Sequence, residues 1–428
     1  MSKRPFDLNA ALRGRMVLAE SLFADLRRLS ADGVGVTRAP YSEKETAAHD
    51  LLAQAARSVG LEVEADFAKN TYLVLRGHDR TRPAVIIGSH LDSVVCGGNY
   101  DGAAGVIAGL VTVAAMIDSA RRPAIDIKVM AIRAEEGTWF GLDHIGSRAA
   151  LGELPAEELK ALRVDSKRPL RQHMLETGCD LELIQSKKRF LEAGSTRAYF
   201  ELHIEQGPVL EQAKVPVGIV TGIRGSVRAH AARCIGAYTH SGAVPMRMRQ
   251  DAVMAVMDLV QALRQDWRDI DGAGDDLVLT FGKLYTNSAL HQLSKVPGEV
   301  TFTIDARSID RTILDRMAGL ISAHAERIAR EARVEFNLGG LAFINPARMD
   351  PALFNGLLHA SRFLDIKTMS MPSGAGHDAA DFTNAGVPSA MVFVRNYHGS
   401  HNPAEHMEIE DFCLGTQLLA EAVSSVAA

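Results

Sequence analysis

The segment Gly88-Ser-His90-Leu-Asp92-Ser, followed by Gly97-Gly-Asn-Tyr-Asp101-Gly, carries a histidine, a carboxylate two residues on, and a second carboxylate beyond a glycine turn. An imidazole at a strand end can coordinate metal through one ring nitrogen, while a carboxylate such as Asp92 holds the other nitrogen and fixes the tautomer. The glycine turn is free enough to fold Asp101 back beside His90. Arg133-Ala-Glu135-Glu136-Gly137 adds a carboxylate pair. Adjacent residues of an extended segment point opposite ways, so one can bind metal while the other faces substrate as a base. Such a pair is ordinarily a solvated strand end; the flanking glycine and the upstream His-x-Asp narrow the gap between the two readings. Three more histidines stand in Glu201-Leu-His203-Ile-Glu205-Gln206-Gly207-Pro208, in the small-residue turn Tyr238-Thr-His240-Ser-Gly242, and in Gly399-Ser-His401-Asn-Pro-Ala-Glu405. A lone strand histidine such as His203 is ordinarily a satisfied core residue. Glycine-rich Ser373-Gly-Ala-Gly376-His377-Asp378 can offer backbone N–H groups to a substrate anion. Weak singly, the signals add up. His90, Asp101, Glu136, His203 and His401 form a nitrogen and oxygen set sufficient for two metals bridged by one carboxylate, suited to zinc or manganese in metal-assisted hydrolysis.

These residues need strands that end where they stand. Apolar runs at 71–76, 84–89 and 125–132 read as strands, and 84–89 is continuously apolar, as in a buried parallel strand. Strands ending at His90, at Glu135-Glu136 and at His203 would deliver ionisable groups to their C-terminal ends, where open α/β sheets carry their sites. Ser42-Glu-Lys-Glu45 reads as a capping box opening a helix, and 101–116 as an apolar helix. The middle changes character. Strand at 225–236, helix at 248–267, strands at 277–285 and 299–307, helix at 310–332 and strand at 334–338 give the ferredoxin-like order βαββαβ. In 299–307, Val300, Phe302 and Ile304 alternate, which leaves one face packed. A helix near 351–364, a strand at 389–394 and a helix near 410–426 follow. The fold class expected is α/β: a discontinuous metal-binding domain from 1–216 and 334–428, with an inserted unit at 217–333.

Composition excludes the main competitors. The chain has 428 residues, 47% of them hydrophobic, and 47 basic against 52 acidic residues give a net charge of −5. No basic field points to nucleic acid, and no apolar run approaches the ~20 residues that span a bilayer. The start, Met1-Ser-Lys-Arg-Pro-Phe-Asp-Leu, lacks an apolar stretch after its basic residues, so no signal peptide is expected. The four cysteines, Cys96, Cys179, Cys234 and Cys413, stand apart without CxxC spacing. A disulfide framework and a thiolate zinc cluster are disfavoured, and a cytoplasmic location is expected. No GK[ST] loop and no GxGxxG after a strand points to a phosphate or dinucleotide site.

Together the motifs Gly-Ser-His90-Leu-Asp-Ser-Val, Gly-Gly-Asn-Tyr-Asp101-Gly, Glu135-Glu136-Gly, Leu-His203-Ile-Glu-Gln-Gly-Pro, Ser-Gly-Ala-Gly376-His-Asp and Gly-Ser-His401-Asn-Pro-Ala-Glu resemble a hydantoinase/carbamoylase-type amidase of the di-metal aminoacylase and exopeptidase superfamily. The resemblance runs from about Ser42 to Phe412. It implies two divalent ions per subunit, zinc first, with manganese, cobalt or nickel as alternatives. Asp101 would bridge them, with His90 and His203 on one ion and Glu136 and His401 on the other. Glu135 matches the general base, and His240 a histidine that stabilises the oxyanion from the partner subunit. The inserted unit is by that analogy a dimerisation domain, and the chain a homodimer. Gln206 and Arg307 match substrate contacts, the arginine gripping a substrate carboxylate.

One stretch departs from the pattern. Relatives read Asn-x-x-Asn-Val-Val-Pro-Gly before the arginine strand, whereas Asn287-Ser-Ala-Leu-His291-Gln-Leu-Ser294-Lys-Val-Pro297-Gly298 is longer and has Ser294 at the second asparagine. Asn287 or His291 could take over that substrate contact. The expected activity is cleavage of the linear C–N bond of an N-carbamoyl-L-amino acid. An allantoate-type ureido hydrolase and an N-acyl amino acid or dipeptide hydrolase are the alternatives. A catalytically silent binding protein is disfavoured because Glu135 and all five ligands are present.

Overall fold

The computed structural model describes residues 7–428; the reading of residues 1–6 as free of a leader lies outside them. Apolar continuity decides the first unit, which runs through Thr221 and resumes at Met349. Its sheet runs, in spatial order, Val217–Ile223, Ser389–Val394, Thr196–Ile204, Ala84–His90, Ile127–Ile132, Thr71–Leu75 and Glu62–Ala65, with Thr368–Ser373 also paired to Val217–Ile223. The central strands Ser389–Val394, Thr196–Ile204, Ala84–His90 and Ile127–Ile132 are mutually parallel. Every residue of Ala84–His90 and Ser389–Val394 is buried, as strands covered on both faces require. Because they are parallel, His90, His203 and the chain leaving Ile132 emerge at one edge.

One covering layer is the helix Ala103–Asp118, buried along nearly its whole length. Gly105 explains how closely it approaches the strands: a Cβ there would lie 2.2 Å from the Leu202 carbonyl oxygen and 2.5 Å from Ser89 Cβ. Met16–Ser30, Glu43–Ser58 and Ile409–Val426 share the same apolar core. The expected helix at 101–116 thus starts two residues later, after Gly102.

The second unit, Gly222–Arg348, is built on alternation. In Glu299–Ser308 each second residue is buried, Val300, Phe302, Ile304, Ala306 and Ser308. Its sheet runs Val278–Thr280, Glu299–Ser308, Gly225–Ile235, Glu335–Asn337, all antiparallel. The helices Ala252–Gly272 and Arg311–Ala332 bury stripes at helical spacing, such as Ala252, Ala255, Val256, Leu259 and Leu263. Several bounds differ from expectation: the unit opens at Gly222 rather than 217, and the helix expected at 248–267 runs Ala252–Gly272. The strand expected at 277–285 is split into Val278–Thr280 and Leu284–Thr286, interrupted around Gly282, which has no side chain to pack. After Glu335–Asn337, Ala342–Ile344 pairs with Gly225–Ile235 again, so this unit continues to 348, beyond the 333 expected. Among the described residues no helix is long and apolar enough to cross a membrane.

Candidate metal centre

Each of the five expected ligands comes from a strand end, a turn or a loop of the first unit. His90 ends its strand, His203 is the next-to-last residue of its own, and Glu135 and Glu136 follow the strand Ile127–Ile132. Asp101 precedes the buried helix, across Gly102, whose φ of +64° and proximity to His90 exclude a side chain: a Cβ there would lie 2.5 Å from the ring. His401 sits in a loop where His398, Gly399 and His401 all have positive φ, strain of the kind that clusters at functional sites.

The Asp101 carboxylate divides the set in two. Its Oδ1 lies 3.1 Å from His203 Nε2 and 3.6 Å from His90 Nε2. Its Oδ2 lies 3.3 Å from His401 Nε2, which is 3.5 Å from Glu136 Oε1. His90, Asp101 and His203 thus form one group of donors, and Asp101, Glu136 and His401 a second. The tautomers fit a cation. His203 Nδ1 faces the Ile204 carbonyl at 2.9 Å and His90 Nδ1 faces the Asp92 carbonyl at 3.1 Å, so both rings can donate there and leave their Nε2 lone pairs inward. Those two nitrogens stand 3.5 Å apart, and buried Asp101 Oδ1 between them has no hydrogen-bond donor. His203 Nε2 also accepts the Gly102 N–H at 3.1 Å, and lone pairs gathered around one carboxylate oxygen suit a positive ion.

The charges carry the same demand. Burial works against the Asp101 carboxylate, yet His203, His401 and His90 hold it well below the usual range. Burial, Asp101 and Glu135 together push Glu136 up to about 10, the response of one carboxyl crowded against others in a buried cluster. Burial lowers the His203 ring, but Asp101 more than offsets it and the net shift is upward.

Asp92 does more than orient His90. Its carboxylate lies 3.4 Å from His90 Nδ1 and accepts the backbone N–H groups of both Glu135 and Glu136 at 3.0 Å, tying the carboxylate pair to the histidine turn. Glu405 acts likewise on Asp101, accepting from the Tyr100 and Asp101 N–H groups at 2.9 and 3.2 Å. Ser400 Oγ joins Asp101 Oδ2 and Glu405 at 2.8 and 2.5 Å.

Glu135 Oε2 lies 3.8 Å from His90 Nε2, beside the donor cluster. Burial raises its carboxyl, but His90, His144 and His377 outweigh that and hold it down at about 2, the ionised form a base needs. Gln206 brings its Nε2 to 3.1 Å from Asp101 Oδ2, and its own N–H bonds Asn396. Gly376 lies against His144: a Cβ there would be 3.2 Å from the ring Nε2.

His144 itself carried no sequence signal, and neither did Asp381 opposite it. The remaining expected residues lie in the second unit. His240 is exposed, and its Nδ1 accepts from the Gly242 and Ala243 N–H groups at 3.1 and 3.2 Å. With Nδ1 accepting, Nε2 is the donor nitrogen of the ring. Asn287 donates to Glu299 at 3.3 Å, His291 Nδ1 meets Thr286 Oγ1 at 2.8 Å, and the Ser294 carbonyl accepts from Ser241 N–H at 2.9 Å. Arg307 pairs with Asp305 at 2.8 Å, rather than standing ready with both charges uncommitted.

The similarities to known proteins point the same way. The chain is 34% identical over 417 residues to an N-carbamoyl-L-amino acid amidohydrolase of Geobacillus stearothermophilus, covering 96% of this chain and 99% of that one. It is 30% identical to an allantoate amidohydrolase of Escherichia coli, over 90% and 92% of the two chains. Among solved structures, a hydantoinase/carbamoylase family amidase from Burkholderia ambifaria superposes with a TM-score of 0.82 at 29% identity, covering 97% of each chain. The Peptidase family M20/M25/M40 pattern matches residues 86–425, a span holding every one of the five converging donors, and the chain belongs to that family.

Proposed function

We propose that this hydrolase of linear amide C–N bonds cleaves the ureido bond of an N-carbamoyl-L-amino acid, releasing the amino acid with carbon dioxide and ammonia. The observation that carries the reading is Asp101 shared between two donor groups with ionised Glu135 beside them. In it, His90, Asp101 and His203 would hold one divalent ion, and Asp101, Glu136 and His401 a second, with zinc favoured by the mixed imidazole and carboxylate set. When bound, such ions supply Lewis acidity and a lowered pKa for water.

Glu135 takes the proton of the attacking water and returns it to the leaving nitrogen, for which its buried carboxylate is suited. His240, whose Nδ1 is taken up by two backbone N–H groups, donates through Nε2 to the developing oxyanion. Gln206, the Gly376 loop, Asn287, His291 and Arg307 contact the substrate, with the arginine exchanging part of its Asp305 pairing for the substrate carboxylate. The second unit is a ferredoxin-like dimerisation domain. Its exposed apolar side chains, among them Met246, Met248, Met254, Tyr285 and Leu293, support a homodimer. The partner subunit's His240 then serves the site.

Allantoate is the alternative substrate, favoured by the likeness to the Escherichia coli amidohydrolase. Metal-loaded protein assayed against carbamoyl, allantoate, acyl and dipeptide substrates decides. Ammonia release with carbamoyl amino acids is expected. Turnover confined to acyl or peptide bonds would overturn the ureido assignment.

A further inference from the structure

We propose that Asp381 and His144 form a support that aims the Glu135 carboxylate, which makes His144 a positioning residue for the base. The inference rests on Glu135 being that base. His144 Nδ1 lies 2.6 Å from Asp381 Oδ2, and its Nε2 lies 3.4 Å from Glu135 Oε1. A ring between two carboxylates keeps a proton on each nitrogen, because each N–H has an anionic acceptor. Burial opposes a charged ring here, yet Asp381 and Glu135 carry His144 well above the usual histidine range.

The backbone makes the placement hard to relax. His144 adopts φ +56°, a left-handed conformation, while its N–H bonds the Glu135 carbonyl at 2.9 Å. The next two N–H groups, of Ile145 and Gly146, bond the carbonyls of Ala134 and Arg133 at 2.9 and 3.0 Å. The turn therefore folds back along the segment that carries the base. Asp381 arrives from a distant part of the chain, on the helix Asp378–Asn384.

The consequence is a division of labour between the two oxygens of Glu135. His144 engages Oε1. Oε2, 3.8 Å from His90 Nε2, is left facing the donor cluster. A carboxylate without its Oε1 partner is free to rotate, and misplacing a reacting group by about 1 Å can cost on the order of 10²-fold in rate. Gly376 belongs to the same device, since a side chain there would crowd the His144 ring.

The test compares His144→Ala, His144→Gln, Asp381→Asn and Glu135→Gln. In metal-loaded enzyme, His144→Ala is expected to lower kcat by about 10- to 100-fold, with KM and metal content close to wild type. His144→Gln, whose amide can donate to Oε1 from a similar position, is expected to recover most of that loss. In proton NMR of the metal-free protein, a downfield ring N–H signal from the short bond to Asp381 should be present in wild type, absent in His144→Gln and shifted in Asp381→Asn. A kcat unchanged in His144→Ala, a loss carried by KM or metal content, failure of glutamine to restore activity, or no such ring signal would each overturn the proposal. If the alanine variant does not fold, Asp381→Asn is judged by the same split between kcat and KM. Full turnover in Glu135→Gln would instead sink the base assignment beneath it, whereas loss there with none in the His144 and Asp381 variants refutes the positioning role alone.

Discussion

At the scale of the residue, the centre turns on how the oxygens of two carboxylates are divided. Asp101 faces His203 and His90 with Oδ1 and His401 with Oδ2, and Glu135 holds itself between His144 and His90. The two acids should therefore respond differently to loss of charge. Glu135→Gln keeps all five donors, so metal content and melting temperature should stay near wild type while turnover falls by roughly 10²–10⁴. Asp101→Asn removes charge from both donor groups at once, and elemental analysis should find both ions lost or weakly held. Retention of two tightly bound ions in Asp101→Asn would contradict its bridging place. His90, Asp92 and Asp101 were legible in the sequence because the chemistry of a strand-end His-x-Asp is local. His144 was not, because Asp381, the partner that gives it meaning, lies 237 residues away and only the fold brings the two within 2.6 Å.

At the scale of the element, parallel strands bring the site together and a helix start helps to brace it. The spacing of Ser42 and Glu45 predicts a reciprocal cap. Ser42 does accept the Glu45 N–H, at 3.3 Å. The Glu45 side chain, however, accepts from the Tyr41 N–H at 2.7 Å, the Ala134 N–H at 3.0 Å and the Arg133 guanidinium at 2.6 Å. A capping motif has been turned into a clamp on the residues just before the Glu135–Glu136 pair. Spacing signalled that Glu45 would bond at a helix start; it could not signal Arg133, which the antiparallel pairing of Thr71–Leu75 with Ile127–Ile132 carries into range. Both partners are shut off from water, with side-chain exposures of 4% and 0%. Glu45→Ala would strand a buried guanidinium, which typically costs about 3–5 kcal/mol. Urea unfolding should read that loss, and a change below about 1 kcal/mol would mean that the pair is replaced at little cost by water.

At the scale of the whole molecule, periodicity exposed the division into two units better than it located their edges. The switch from continuous apolar strands to the alternation of Val300, Phe302 and Ile304 marked the inserted unit. Glu335–Asn337 and Ala342–Ile344, short strands flanking Gly339 and Gly340, carry too little pattern to say that the unit runs on to 348. What the insertion does is testable through its histidine. Suppose each site takes Glu135 from one subunit and the partner subunit's His240. A His240→Ala homodimer and a Glu135→Gln homodimer then have two damaged sites each. After subunit exchange at equal concentrations, about half the dimers are mixed by the statistics of a two-fold assembly, and each mixed dimer holds one site with both defects and one with neither. Activity should rise from near zero to about a quarter of wild type, with KM at the wild-type value because the restored sites are intact. If His240 serves the site of its own subunit, every site in every mixed dimer keeps one defect, and exchange demonstrated by mass spectrometry would bring no recovery at all.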